Sequence, residues 1–206
     1  MSVEHYFSSD PQGDFTPNQV SVELAGERVS VVTASGIFSP AGIDKGTAIL
    51  LAEAPEPSGS TVLDIGTGWG PISLTLAKKL PLARVIGVEV NQRSAELTRM
   101  NAERLGLSNI EVFAPSDVPG DLQFDTIWSN PPIRVGKDVL HDILRTWLPR
   151  LAPQGCAYLV VQKNLGADSL QKWIAKELDS VDAGTFEVSR YATAKGFRIL
   201  EVVRSA

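Results

Sequence analysis

Hydrophobic positions along the chain fall into two regimes. Up to about residue 60, short alternating runs are broken by turn residues. From Thr61 onward, blocks of apolar β-type residues alternate with apolar stripes of helical period. In the first regime, residues 20–24 and 28–33 alternate at period two around Ala25-Gly26-Glu27, which predicts a β-hairpin. The residues before Asn18 are polar and punctuated by Pro11, Gly13 and Pro17, a pattern of loose order, with His5, Tyr6 and Phe7 tacking down the terminus. Gly36-Ile37-Phe38-Ser39-Pro40 is apolar but too rich in turn residues for a regular element. Asp44 stands where it can cap a helix over 45–54, and 55–60 reads as a linker.

The second regime predicts strands over 61–65, 84–88, 109–113, 124–128 and 156–161, interleaved with helices over 71–80, 93–105, 137–151 and 169–178. Alternating strands and helices are the mark of βαβ units and a parallel sheet. The 137–151 helix carries Leu140, Ile143, Leu144, Trp147 and Leu148 on one stripe, with Pro149 straining its last turn and His141 on its surface. Asp168 is placed to cap the helix that follows, and Trp173 takes a core position on it. Two further strands, 186–191 and 197–203, are separated only by 192–196. That is too short for a parallel crossover, so they form an antiparallel pair.

Composition narrows the setting. With 206 residues, 43% hydrophobic and 21% charged, the chain reads as one globular domain with a small extension. No apolar run approaches the ~20 residues of a membrane helix, and the polar, acidic start is no signal peptide. The lone Cys156 excludes an intrachain disulfide and fits a cytoplasmic location. Net charge is −5, which argues against a protein held to nucleic acid by overall charge. The charge is uneven, however: residues 1–60 sum to −6, and residues 131–165 to +3.

Candidate chemistry gathers at two loops. In Thr61-Val-Leu-Asp-Ile-Gly-Thr-Gly-Trp-Gly70, a strand ends in alternating glycines and Pro71 opens a helix. Glycine lets the backbone turn sharply and approach a ligand, and the first helical N–H groups then point at it. In a doubly wound sheet of order 3-2-1-4-5, this loop lies beside the loop after the fourth strand, Ser129-Asn130-Pro131-Pro132-Ile133. Glu89 ends the second strand, where an acid accepts hydrogen bonds from ribose hydroxyls; the alternative is a solvated strand end. Asp64, inside the first strand, needs a partner if buried. In the second loop, two prolines donate nothing, so the Asn130 and Pro131 carbonyls face outward without pairing to those residues, and the Asn130 amide oxygen adds an acceptor. Acceptors converging beside a cofactor suit a planar amino group, whose lone pair they turn toward an electrophile. No His/Cys/Asp cluster has metal-ligand spacing, and no metal is expected.

These segments resemble class I S-adenosylmethionine-dependent methyltransferases from about residue 30 to 206. Asp64-Ile-Gly66-Thr67-Gly68-Trp69-Gly70 matches the first motif, Glu89 and Asn91 the acidic strand end, and Ser129-Asn130-Pro131-Pro132 the motif of enzymes that methylate amino or amide nitrogens. GIFSPAGIDKGTAILL, SNPPIRVGK and VVQKNLGADSL are similar to the small-domain methyltransferases, including RsmC-type 16S rRNA guanine-N2 enzymes. The resemblance implies an α/β fold: a Rossmann-like, doubly wound, mostly parallel seven-stranded sheet with an antiparallel last strand, plus the short N-terminal β-hairpin. It implies an extension over 1–57 and a methyltransferase domain over 58–206. The implied cofactor is S-adenosylmethionine, released as S-adenosylhomocysteine, held by Asp64, Gly66, Thr67, Gly68, Glu89, Asn91, Ser116 and Asp117. Asn130, Pro131, Pro132 and Ile133 form the catalytic segment; Phe38, Asp44, Arg134 and Lys137 contact substrate. The implied partner is RNA, as 16S rRNA or the small ribosomal subunit.

The sequence departs from the family in two ways. Many amino-methylating relatives carry an aromatic after Asn-Pro-Pro that stacks on the target base, and here the residue is Ile133. RsmC-type enzymes also carry a second, degenerate domain, so RNA contact here falls to the basic residues after strand four or to a partner chain, or is absent. The rival readings are an adenine-N6 or protein-glutamine methyltransferase, a nicotinamide-dependent oxidoreductase, and a catalytically silent RNA-binding or assembly factor.

Overall fold

Strand β3 (Thr61–Ile65) is buried on both faces, and the sheet grows outward from it. A computed structural model describes residues 15–206; the opening stretch with His5, Tyr6 and Phe7 lies outside the described residues. The chain first forms a two-stranded antiparallel hairpin, β1 (Pro17–Leu24) and β2 (Glu27–Ala34), then helix α1 (Lys45–Glu53). After β3 come α2 (Pro71–Lys79), β4 (Arg84–Val88), α3 (Gln92–Arg104), β5 (Ile110–Phe113), β6 (Phe124–Ser129), α4 (Lys137–Trp147), β7 (Leu151–Gln162), α5 (Ala167–Val181), β8 (Phe186–Ala194) and β9 (Phe197–Arg204).

The seven-stranded sheet has the order β5-β4-β3-β6-β7-β9-β8. β5 through β7 are parallel; β9 runs antiparallel to both β7 and β8. This is the Rossmann-like fold expected, with its antiparallel last strand and N-terminal hairpin. The chain leaves β3 toward one side and returns at β6 toward the other, so the β3/β6 boundary is the switch point where such sheets bind ligands.

Helices cover both faces, which is why the strands read as apolar runs rather than alternations. Val62, Val85, Trp128, Val160 and Ile199 pack with Ile49 and Leu50 of α1 and Ile72 and Leu76 of α2. Their neighbours Leu63, Ile86, Ile127, Leu159 and Leu200 pack on the opposite face with Leu144 of α4 and Leu170 and Ile174 of α5. A third cluster joins the hairpin, through Val22, Leu24 and Val31, to Trp69, Leu74 and Leu97. Buried Asn101 of α3 locks this junction: its Oδ1 accepts from Val32 N at 2.6 Å, and its Nδ2 donates to Val32 O and Trp69 O.

Several local expectations are corrected. β1 begins at Pro17, inside the stretch expected to be loose, because Pro17 pairs with Ala34. α4 stops at Trp147 and its last turn tightens into a 3-10 turn over Leu148–Arg150, since Pro149 has no N–H to continue the helix. β7 starts at Leu151 rather than 156, with a bulge against β6. Asp168 does not cap α5. Gly166, at φ 89, holds the cap position, and Asp168 in the first turn pairs with Arg190 and Arg198 of the last two strands. His141 is buried rather than on the surface, its ring stacked on Trp173 at 3.5 Å between centroids. Trp173 in turn is only partly buried.

Candidate active site

The carboxyl ends of β3 and β6 are tied together by Ser129 Oγ, which donates to Ile65 O at 2.8 Å. Beyond β3 the chain turns through Gly66 (φ 75) and Gly68 (φ 59), left-handed conformations that favour glycine. Gly66 N and Thr67 N both donate to Val88 O of β4, at 2.9 and 3.1 Å, which fixes the loop to the neighbouring strand. A Cβ added at Gly66 or Gly68 would meet nothing within 4 Å, so both glycines open onto a cleft. Its walls include Phe38, Asp44, Thr47, Gly66, Gly68 and Asn130.

Asp64 lies beneath this loop, fully buried. Its Oδ2 accepts from Ser73 N (3.0 Å) and Ser73 Oγ (2.7 Å), and Ser73 Oγ also bonds Thr67 Oγ1 at 2.7 Å. Among the described residues its Oδ1 has no hydrogen-bond partner. Burial pushes the Asp64 carboxyl up to about 6, against the hydrogen bonds from Ser73 that favour its charged form. An unpartnered buried acceptor is costly in a protein that has no use for it.

Glu89, at the end of β4, bridges loop and helix: Oε2 accepts from Gly68 N and Oε1 from Asn91 N, each at 2.9 Å. Burial raises its carboxyl while these backbone bonds lower it, with burial prevailing. Asn91 is the N-cap of α3, its Oδ1 accepting from Ser94 N at 3.0 Å; its Nδ2 is buried without a partner among the described residues. Ser116 and Asp117 lie in an exposed 3-10 turn after β5, bonded to one another at 3.0 Å. The loops after β3, β4 and β5 thus stand side by side along one edge, in sheet order.

Asn130 follows β6 directly. Its Nδ2 donates to Asp44 Oδ2 at 3.0 Å and to Thr47 Oγ1 at 3.1 Å. An ionised carboxylate only accepts, so Asp44 fixes which end of the Asn130 amide is nitrogen and leaves Oδ1 as the free acceptor. Asp44 is itself the N-cap of α1, accepting from Gly46 N (2.8 Å) and Thr47 N (3.2 Å). Pro131 departs from expectation: its carbonyl accepts from Ile133 N at 2.8 Å, in an inverse γ-turn centred on Pro132 (φ −75, ψ 74). One lone pair of that carbonyl remains. Ile133 packs on the core beneath α4 and α5. Arg134 and Lys137 are exposed beyond the turn, and Phe38 is 51% exposed at the cleft.

Thr47 and Gly46 escaped the sequence reading as individual residues, although their segment did not. Their signal was position: they occupy the first turn of the helix that Asp44 caps, on the side facing β6. No group of three or more His, Cys, Asp or Glu among the described residues is arranged to hold a metal ion.

The site fits S-adenosylmethionine. Open glycines leave room for its methionine portion, the unpartnered Asp64 Oδ1 offers negative charge to an ammonium group, and each Glu89 oxygen keeps a lone pair for a ribose hydroxyl.

Comparison with known proteins agrees. "Uncharacterized protein YbxB" of Bacillus subtilis (strain 168) is 33% identical over 203 residues, covering 96% of this chain and 97% of that one. Ribosomal RNA small subunit methyltransferase C of Hahella chejuensis is 33% identical over 198 residues, covering 90% of this chain and 56% of that enzyme, so the chain spans little more than half its length. Among solved structures, Thermus thermophilus RsmC, the 16S rRNA N2 G1207 methyltransferase in complex with AdoMet and guanosine, superposes with a TM-score of 0.75 at 23% identity. The match covers 95% of this chain and 52% of that one, and establishes the fold. With the family's sequence profile matched over residues 28–201, the chain belongs to the methyltransferase small domain family.

Proposed function

We propose that the protein transfers a methyl group from S-adenosylmethionine to an exocyclic amine, and that the amine is N2 of a guanine in 16S rRNA. The observation that carries this reading is the clamped amide of Asn130. A catalytically silent copy has no need to orient a side-chain amide through Asp44 and Thr47, with its oxygen left free beside the glycine loop.

Bound S-adenosylmethionine supplies a methyl group made electrophilic by its sulfonium. The Gly66–Gly68 backbone and Asp64 would hold the methionine end, Glu89 the ribose, and the turn at Ser116 and Asp117 would serve the adenine. Asn130 Oδ1 and the remaining lone pair of the Pro131 carbonyl accept the two N–H bonds of the target amine. The nitrogen lone pair is thereby turned toward the cofactor side of the cleft. Methylation makes the nitrogen acidic, and its proton leaves to water or to these acceptors, so no strong base is required. Catalysis is then largely orientation, which supplies up to ~7–11 kcal/mol in favourable cases. A paired target base must first be flipped out.

Breadth of similarity favours guanine in rRNA over a glutamine side chain. The Hahella chejuensis rRNA methyltransferase matches 90% of this chain, whereas the release factor glutamine methyltransferase of Geobacter sulfurreducens matches 53%. The test is transfer of labelled methyl to a mixture of ribosomal subunits, naked rRNA and protein, followed by nucleoside analysis. Label in N2-methylguanosine is the expected result. Label in N6-methyladenosine or in protein overturns the guanine assignment and leaves the amide chemistry standing.

A further inference from the structure

From the geometry at the far end of the cleft, resting on the reading above, we infer that the tip of the β8–β9 hairpin forms the wall for the target nucleotide. Phe197 stacks on the base, and Lys45, Lys163 and Lys195 take the flanking phosphates of a single-stranded RNA segment.

The placement follows from topology. β9 runs antiparallel to β7, so its first residue, Phe197, pairs with Gln162, the last residue of β7, at the same sheet edge as Asn130. The hairpin tip is pinned there by Lys163 N, which donates to Gly196 O at 2.9 Å. Phe197 and Asn130 meet across Gly46. A Cβ built on Gly46 would lie 3.2 Å from Phe197 Cε1 and 3.3 Å from Asn130 Oδ1. The aromatic edge and the proposed amine acceptor are thus separated by the space of one absent methyl group. Phe197 packs against the α1/α2 core cluster yet remains partly exposed, an anchored ring with surface to offer. Ile133, directly after Asn-Pro-Pro, packs against the opposite core.

The charges agree. Lys45 Nζ lies over the Phe197 ring, 5.9 Å from its centroid, on a flexible stem that an arriving base would displace toward its own phosphate, and Lys163 and Lys195 flank the hairpin tip. All three are exposed, and none is in an ion pair among the described residues. Lys195 adopts φ 47 in a two-residue turn with Gly196 at φ 86. Asn, Asp or Gly suits that left-handed position better than lysine does. An aromatic platform rimmed by unpaired cations is how proteins grip single-stranded nucleic acid: the ring takes a base face, the cations follow the backbone.

The test uses the full chain with S-adenosylhomocysteine bound, and two fluorescein-labelled oligouridylates, one with a central guanosine and one with an abasic site there. The wild type should prefer the guanosine strand, and Phe197→Leu should lose that preference, by about 5- to 100-fold. Phe197→Trp should keep it, and S-adenosylhomocysteine affinity should be equal in all three proteins. Lys195→Asn, which suits the turn while removing the charge, should weaken both strands alike and reduce the salt slope by about 0.7. Equal binding of the two strands by the wild type, or an unchanged preference in Phe197→Leu, overturns the wall. A wild type that methylates guanine in rRNA while Phe197→Leu matches its KM overturns the wall alone. Label on protein or adenine in the product analysis overturns the guanine reading separately.

Discussion

Along the amino ends of the strands, charges answer one another; along the carboxyl ends several polar groups go unanswered, although Asp168 there holds Arg198. At the amino edge, Arg84 forks onto both oxygens of Glu111 at 2.5 and 3.0 Å, and Lys79 holds Glu56 at 2.6 Å. Asp125 accepts from Ser60 N and Thr61 N, and the Asn109 amide closes on Leu80 O and Ala83 O. At the carboxyl edge, Asp64 Oδ1 and Asn91 Nδ2 are buried without partners, Gly66 and Gly68 open onto space, and Lys45, Lys163 and Lys195 are without ion pairs among the described residues. Both edges draw on the same chemistry, so the difference is one of purpose. One edge satisfies its polar groups internally and serves stability; the other leaves several of them for molecules from outside.

The comparison breaks if the carboxyl edge proves to matter only for stability. The largest expected effect is that of Asn130→Ala, which should lower kcat on the order of 10²–10³-fold, as loss of a transition-state contact does, with S-adenosylhomocysteine affinity nearly unchanged. Equal losses in both would remove Asn130 from its role. Asp44→Asn comes next. It keeps a good helix cap but no longer dictates the amide orientation of Asn130, so kcat should fall about tenfold while thermal stability stays within about 0.5 kcal/mol.

The pH dependence sharpens the role of Asp64. Its folded value of about 6 exceeds the ordinary 3.8, so the folded protein binds the proton more tightly than the unfolded chain. Stability from this group is therefore lost as pH rises through that window. An ammonium ligand prefers the ionised carboxylate, so S-adenosylhomocysteine affinity should move the other way, weakening by up to about tenfold per pH unit below about 6. Calorimetric titration from about pH 5 to about pH 8 should show this in the wild type and not in Asp64→Asn. The smallest effect on activity belongs to the amino edge: Asp125→Ala should cost about 1–3 kcal/mol in chemical denaturation by stranding two backbone N–H groups, with KM and kcat untouched.

The sheet was legible in the sequence because each central strand is apolar on both faces and each crossover is long enough for a helix. The antiparallel end was legible because residues 192–196 are too few to cross. What escaped the sequence were outcomes decided by distant partners. Asp168 looks like a cap until Arg190 and Arg198 arrive from strands formed later in the chain. β7 begins early because Leu151 finds Phe124 across a bulge that Pro153 and Gly155 disguise. In the site, the Asn-Pro-Pro loop announced itself, since proline chemistry is local. The clamp on Asn130 did not, because Asp44 lies 86 residues away, and Phe197 comes opposite Asn130 across Gly46 only through the reversed direction of the last strand.

The double duty of Asp44 joins two events that could have been independent. The carboxylate that starts α1 also orients the amide of Asn130. The glycine loop and Glu89, by contrast, are braced by β4 and α3, without α1. A chain whose first helix has not yet docked would thus resemble a loaded but uncocked device: able to take up its methyl donor, unable to pass the methyl on. Docking of α1 is thus a condition for orienting the amide and not for forming the donor's cradle.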